Sequence, residues 1–233
     1  MFDAFRMNAF SLRFADARVE ASFAEEQARK SLRPVRVALV TMILLTVILA
    51  LAFRYLPHLL PAGSLAQWIV LGGAGICAAF LALSHSQLFL RRQQAVMLVV
   101  ACLASAGLAL GSTQVSLDLV VSRGYLLIVI HTLTIYSVFR LRFPAAAAAG
   151  WLSLGIWVGG LAATDVLTGV DIFRHAVVLV IANVWGMVIC YQIDVAARRE
   201  YIAMRQLAEE RARSERTAPV SPVARVSPAL RIR

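Results

Sequence analysis

Apolar residues fall in long runs separated by short polar segments. A bilayer core of about 30 Å takes around 20 mostly apolar residues per helix. Six runs meet or approach that length: Val37–Phe53, Leu65–Leu83, Ala95–Gly111, Leu119–Phe139, Ala145–Ala163 and Ala176–Ile193. The first and third are the shortest, and Tyr55, Leu56 and Val115 extend them. The pattern predicts a six-span membrane domain over residues 37–193, its neighbouring helices antiparallel because the loops are short.

The flanks have different patterns. In residues 1–36, Phe2, Phe5, Phe10, Leu12, Phe14, Val19 and Phe23 are interspersed with Arg, Asp and Glu. Phe10 and Phe14 stand at i, i+4 spacing, so part of this cytoplasmic segment is expected to be an amphipathic helix on the inner leaflet, ended by Pro34. Beyond the sixth span, residues 194–216 contain no Gly or Pro and are rich in good helix formers. Arg205 with Glu209, Glu209 with Arg213 and Arg211 with Glu215 are i, i+4 charge pairs. The sixth helix is therefore expected to continue into the cytoplasm for about six turns, with a thin apolar stripe of Ala197, Tyr201, Met204 and Ala208. Residues 217–233, with three Pro and three Ser or Thr, are expected to be disordered.

Composition supports the membrane assignment. Of the 233 residues 60% are apolar and only 15% charged, against about 25% charged in soluble domains. That surplus does not fit inside one water-soluble core and excludes a soluble enzyme, a zinc scaffold or a disulfide framework. Cys77, Cys102 and Cys190 lie singly within apolar runs.

The net charge of +10 looks like a nucleic-acid signature, but its distribution has a simpler cause. Of the 23 basic residues, 20 lie in the N-terminal segment, the second loop (Arg91, Arg92), the fourth loop (Arg140, Arg142) and the C-terminal segment, and three (Arg54, Arg123, Arg174) on the other side. The positive-inside rule places both termini in the cytoplasm of a multi-pass inner-membrane protein, and an even number of spans agrees. All but one of these residues are Arg, which is a compositional bias rather than a binding surface, so no nucleic-acid partner is expected. Residues 1–36 lack the apolar core of a cleavable signal peptide.

The sequence shows little chemistry. It has no phosphate-binding glycine loop, no paired metal carboxylates and no zinc-type His-Glu pattern, and the Gly72–Gly75 glycines lie inside a span. A bis-histidine haem needs two histidines at one depth, whereas His131 is mid-span, His85 is at the inner end, and His58 and His175 lie outside, so no cofactor is expected. His131, Thr132 and Asn183 are polar groups within spans. Hydrocarbon offers them no partner, so they form either interhelical hydrogen bonds or a ligand or proton site. Acids sit only at span edges (Asp118, Asp165, Asp171, Asp194), which argues against an ion-coupled transporter. Gly107 with Gly111, Gly155 with Gly159 and Gly75 with Ala79 are small pairs four apart, expected to let helices approach within one chain or between two.

Several local strings together resemble a known layout. Phe14-Ala-Asp, Glu20 and Phe23 precede the first span, and Arg140-Leu-Arg142-Phe143 closes the fourth. Asn183, Gly186 and Tyr191 mark the sixth, leading into Arg198-Arg-Glu-Tyr201 and the charged run Arg205–Arg216. From Phe14 to Arg216 the chain resembles the six-helix membrane domain of bacterial class III adenylyl/guanylyl cyclases and the helix leading to their catalytic domain. The resemblance implies a dimeric membrane anchor and receptor that signals through its sixth helix to a cytoplasmic cyclase. In that family a catalytic domain with two metal-binding aspartates follows. Here 17 low-complexity residues follow the exit helix, too few to fold, so no catalytic residue carries over.

The expected fold is thus all-α integral membrane, with six transmembrane helices and the last continuing as a cytoplasmic signalling helix. The expected function is a membrane anchor and sensor of nucleotidyl cyclase type, truncated or stand-alone, without catalysis of its own. Its partners are the lipid bilayer, a second copy, and a cytoplasmic cyclase contacted through residues 194–216. A small six-helix transporter or channel using His131, Thr132 and Asn183 is the alternative, and a structural subunit of a larger complex is a third reading.

Overall fold

The computed structural model describes residues 8, 12–55, 65–113, 120–121, 125–164 and 167–217. Among these residues the chain is almost entirely helical, without strands. Six helices follow in order: α1 (Ala17–Tyr55), α2 (Leu65–Leu83), α3 (Gln87–Ser112), α4 (Tyr125–Ser137), α5 (Phe143–Ala163) and α6 (Gly169–Thr217). α1, α3, α5 and α6 are long and apolar enough to cross a membrane. α2 and α4 are apolar but shorter, at 19 and 13 residues.

Contacts divide the chain into two units, Met1–Val195 and Ala196–Arg233. In the first, α1 packs on α2, α2 on α3, α3 on α4 and α5, and α4 on α5. One core gathers Val35, Leu39, Phe89, Met97, Ile135, Tyr136 and Cys190, and a second gathers Ala109, Ile128, Trp157, Leu161 and Leu179. These cores absorb little of the apolar surface. Only 22–33% of the residues in the most apolar stretch of each long helix are buried. Leu44, Leu45 and Ile48 of α1, Ile130 of α4, and Ile181 and Trp185 of α6 are each more than half exposed. Leaving such a side chain in water costs about 1.5–3 kcal/mol, so so many of them require a lipid-like surrounding.

The turn from α2 to α3 is tight. Ser86 caps α3, its hydroxyl accepting from the Phe89 N–H at 3.2 Å. The α4–α5 turn reverses through Arg140, a non-glycine residue at φ 53°.

Two expectations are corrected. Pro34 does not end a helix before the first span, because it lies inside α1. A helix-interior proline forfeits one backbone hydrogen bond. Here α1 is held on both sides of it: Ser31 Oγ accepts from Gln93 Nε2 at 2.7 Å, and Arg36 donates twice to Ser84. Phe14 is not part of an amphipathic helix either. It precedes α1 and folds back edge-on to Phe23 with ring centroids 5.7 Å apart, while Phe10 lies outside the described residues. Of the small pairs expected to let helices approach within one chain or between two, a Cβ at Gly75, Gly107, Gly111, Gly155 or Gly159 would meet nothing within 4 Å among the described residues.

In the second unit the helix runs to Thr217, Tyr201 is buried, and the Arg205 guanidinium lies over its ring at 5.3 Å. Residues 218–233 of the expected disordered tail, Phe2, Phe5, His58, Asp118, Arg123 and Asp165 lie outside the described residues, while Thr217, the first residue of that tail, ends α6.

Candidate functional site

At one end of the first unit the start of α1, the α2–α3 turn, the α4–α5 turn and α6 are joined by polar contacts. Glu20 is the hub. Its Oε1 pairs with Arg142 Nη1 at 3.0 Å, and its Oε2 accepts from the Phe14 N–H at 3.0 Å. The Arg142 guanidinium also lies over the Phe23 ring at 5.6 Å, so cation–π attraction adds to the ion pair. Both charged side chains are mostly shielded, at 23% and 16% exposure, which strengthens their attraction over that of a surface pair.

The start of α5 explains two further contacts. The first N–H groups of a helix have no intrahelical acceptor and carry partial positive charge. The Arg142 N–H donates to Gln94 Oε1 at 2.9 Å, and the Phe143 N–H donates to Asp194 Oδ2 at 3.3 Å. Phe143 packs edge-on against Tyr191 with centroids 5.5 Å apart. A side chain from α6 therefore caps α5, while the residue before α5 binds the start of α1.

Of the nine family-like residues, this end brings together Phe14, Glu20, Phe23, Arg142, Phe143 and Tyr191. Arg140 stands in the same turn, two residues from Arg142. Asn183 and Gly186 belong to a second cluster at mid-bundle. There Tyr136 Oη donates to Asn183 Oδ1 at 2.9 Å, and Asn183 Nδ2 donates to the Leu179 carbonyl at 3.0 Å. The Tyr136 ring lies against Gly186 on one side and its hydroxyl against Gly150 on the other. A Cβ at Gly186 would overlap the ring, and one at Gly150 would overlap Tyr136 Oη and Asn183 Oδ1.

The three candidate intramembrane polar residues do not share a site. His131 Nε2 lies 2.9 Å from Ser105 Oγ and 3.2 Å from the Ala101 carbonyl, tying α4 to α3. Thr132 donates to the Ile128 carbonyl of its own helix at 2.8 Å. Asn183 is occupied by Tyr136 and its own helix. All three are buried and hydrogen-bonded within the protein.

Two residues were missed from sequence. Tyr136 completes the stripe Ile128, His131, Thr132, Ile135, Tyr136, and His175 begins the stripe His175, Leu179, Ala182, Asn183, Gly186, Cys190; all are buried at helical spacing. That periodicity was available in the sequence. It is obscured because the lipid-facing positions are equally apolar. His175, placed by sequence outside the sixth span, is fully buried and stacks on Trp157 with centroids 6.4 Å apart.

Among the described residues, no three His, Cys, Asp or Glu side chains come together to hold a metal ion. The polar arrangement links the start of α1 to the α4–α5 turn, and that turn to α6. Compared with known proteins, the chain matches no family model, no curated protein and no solved structure.

Proposed function

We propose that this chain is a six-span membrane module of nucleotidyl-cyclase type, both termini cytoplasmic, which works as a dimer and passes its packing state through α6 to a cytoplasmic catalytic partner. The observation that carries this reading is the joined polar end. Asp194, at the cytoplasmic edge of the sixth span, caps α5, and the preceding residue Arg142 is held by Glu20 at the start of α1. A shift of α1 or of the α4–α5 turn is thereby felt where α6 leaves the bilayer.

Topology has separate support. Segments bearing Arg36, Arg91, Arg92, Arg140 and Arg142 meet at this one end, as the skew in basic residues requires of a cytoplasmic face. Arg174, assigned to the other side, instead donates to the Val121 carbonyl at 2.8 Å. The transporter reading gains no support, because His131, Thr132 and Asn183 have separate partners, Ser105 and Ala101, Ile128, and Tyr136 and Leu179, and line no shared path.

The test is a fusion of an active cyclase catalytic domain after Arg216, compared with the same fusion carrying Glu20→Gln or two glycines inserted after Arg199. Both changes are expected to alter cyclic-nucleotide output, the first through the polar end and the second by breaking helix rigidity. Output unchanged by either would refute the mechanism. Cysteines placed at Arg29 and Arg199 should react with an impermeant thiol reagent only from the cytoplasmic side. Reaction of either from outside would refute the topology.

A further inference from the structure

Beside the Glu20–Arg142 pair, α1, α3 and the α4–α5 turn line a cleft of about 280 Å³. Four arginines line it, Arg91, Arg92, Arg140 and Arg142, with the amides of Gln27 and Gln93 and no carboxylate among the lining residues. Glu20 pairs with Arg142 from outside that lining. Among the described residues, Arg91, Arg92 and Arg140 form no ion pair.

The backbone is irregular at two of these arginines. Arg92 breaks the helical geometry of α3 at φ −119° and ψ 17°, and Arg140 occupies the left-handed region at φ 53°. Like charges gathered around one concavity repel, and an anion in their midst relieves the repulsion. Guanidinium groups match phosphate oxygens through paired N–H donors. Gln93 adds a different requirement. Its residue is 3% exposed and its Nε2 donates to Ser31, while its buried Oε1 has no hydrogen-bond partner. A buried acceptor of that kind calls for a donor such as a hydroxyl. The volume lies at the lower edge of small-molecule sites, about 300 Å³, which suits a headgroup-sized ligand.

We infer that this cleft binds a phosphate ester of a polyol, the chemistry of a glycerophosphate group, with the arginines taking the phosphate and Gln93 a hydroxyl. Two sources share that chemistry: the headgroup of an anionic phospholipid and a soluble glycerol phosphate. Only the lipid source rests on the topology proposed above, which puts the cleft at the level of the inner-leaflet headgroups. Through Arg142 the bound ester touches the same polar end that joins α1 to α6.

The test uses the full chain purified in neutral detergent. Native mass spectrometry measures retention of phosphatidylglycerol against phosphatidylcholine, and calorimetry measures binding of soluble glycerol 3-phosphate. Arg140→Gly removes a guanidinium while keeping the turn, because glycine accepts positive φ without cost. Arg92→Gln removes a second. Arg33→Gln removes an exposed arginine of α1 that does not line the cleft. Either cleft variant is expected to weaken binding by about tenfold, the loss of one charge-assisted contact, with Arg33→Gln unchanged. Displacement of the lipid by millimolar glycerol 3-phosphate identifies the soluble ester as the ligand, and persistence of the lipid identifies the headgroup. An equal loss in Arg33→Gln, or no preference for phosphatidylglycerol together with no binding of glycerol 3-phosphate, overturns the inference. Because no fused catalytic domain is used, failure of the signalling reading leaves this result standing.

Discussion

Gly186→Ala tests the packing at mid-bundle, where one added methyl group is predicted to have opposite effects at two glycines. The added Cβ would stand 2.7 Å from Tyr136 Cε2 and 2.8 Å from Cγ, with Cδ2 nearer still. Carbon atoms settle at about 3.5–4.0 Å, so the ring must retreat by about 1 Å. Its hydroxyl already lies against Gly150, so it cannot retreat freely. A movement of that size takes the 2.9 Å bond from Tyr136 to Asn183 beyond the length at which it counts as a hydrogen bond. Overpacking costs about 1–3 kcal/mol. Losing a buried neutral hydrogen bond adds about 0.5–1.5 kcal/mol. Replacing a helical glycine by alanine returns up to about 1 kcal/mol. The net expectation is destabilisation by about 0.5–3.5 kcal/mol.

Gly155→Ala is the control. It gains the same helix propensity but meets nothing within 4 Å, so it should be neutral or more stable by up to about 1 kcal/mol. Both are read by titrating the detergent-solubilised protein with sodium dodecyl sulfate and following fluorescence of its tryptophans, of which Trp157 is buried. A Gly186→Ala protein as stable as Gly155→Ala would refute the reasoning.

Two other substitutions probe the polar end and the helix that leads into it. Glu20→Gln and Arg142→Gln should each destabilise the fold, and their double-mutant cycle should show a coupling of about 1 kcal/mol, above an exposed pair because both partners are shielded; a coupling near zero would show the contact to be incidental. Pro34→Ala restores the backbone N–H that α1 lacks and should stabilise by about 1–3 kcal/mol in the same titration; a loss of stability would mean that the proline shapes α1 in a way the partner needs.

Much of the helical framework was legible from the apolar runs. Leu65–Leu83 is α2 to the residue, and the other five runs each coincide with one helix over most of their length. Segment length and apolarity are properties of a local stretch, and a helix is the form in which such a stretch satisfies its own backbone away from water. The same locality explains the errors. Pro34 was read as a stop by its local chemistry, yet bonds from Ser31 to Gln93 and from Arg36 to Ser84, 62 and 48 residues away in sequence, hold α1 through it.

Which face of each helix turns inward was not legible. In a water-soluble helix polarity marks the outer face, but here Leu44 or Ile181 facing outward is as apolar as Leu39 or Leu179 facing inward. Small residues therefore did not show which face packs within the chain: Gly155 and Gly159 lie open, while Gly150 and Gly186 close on Tyr136. The partners of Glu20 were equally hidden, since Arg142 lies 122 residues along the chain. Sequence alone set the helical segments and the charge skew between their ends, because both are written locally. Tertiary structure alone chose the contacting faces and the polar partners, because those depend on which helices meet.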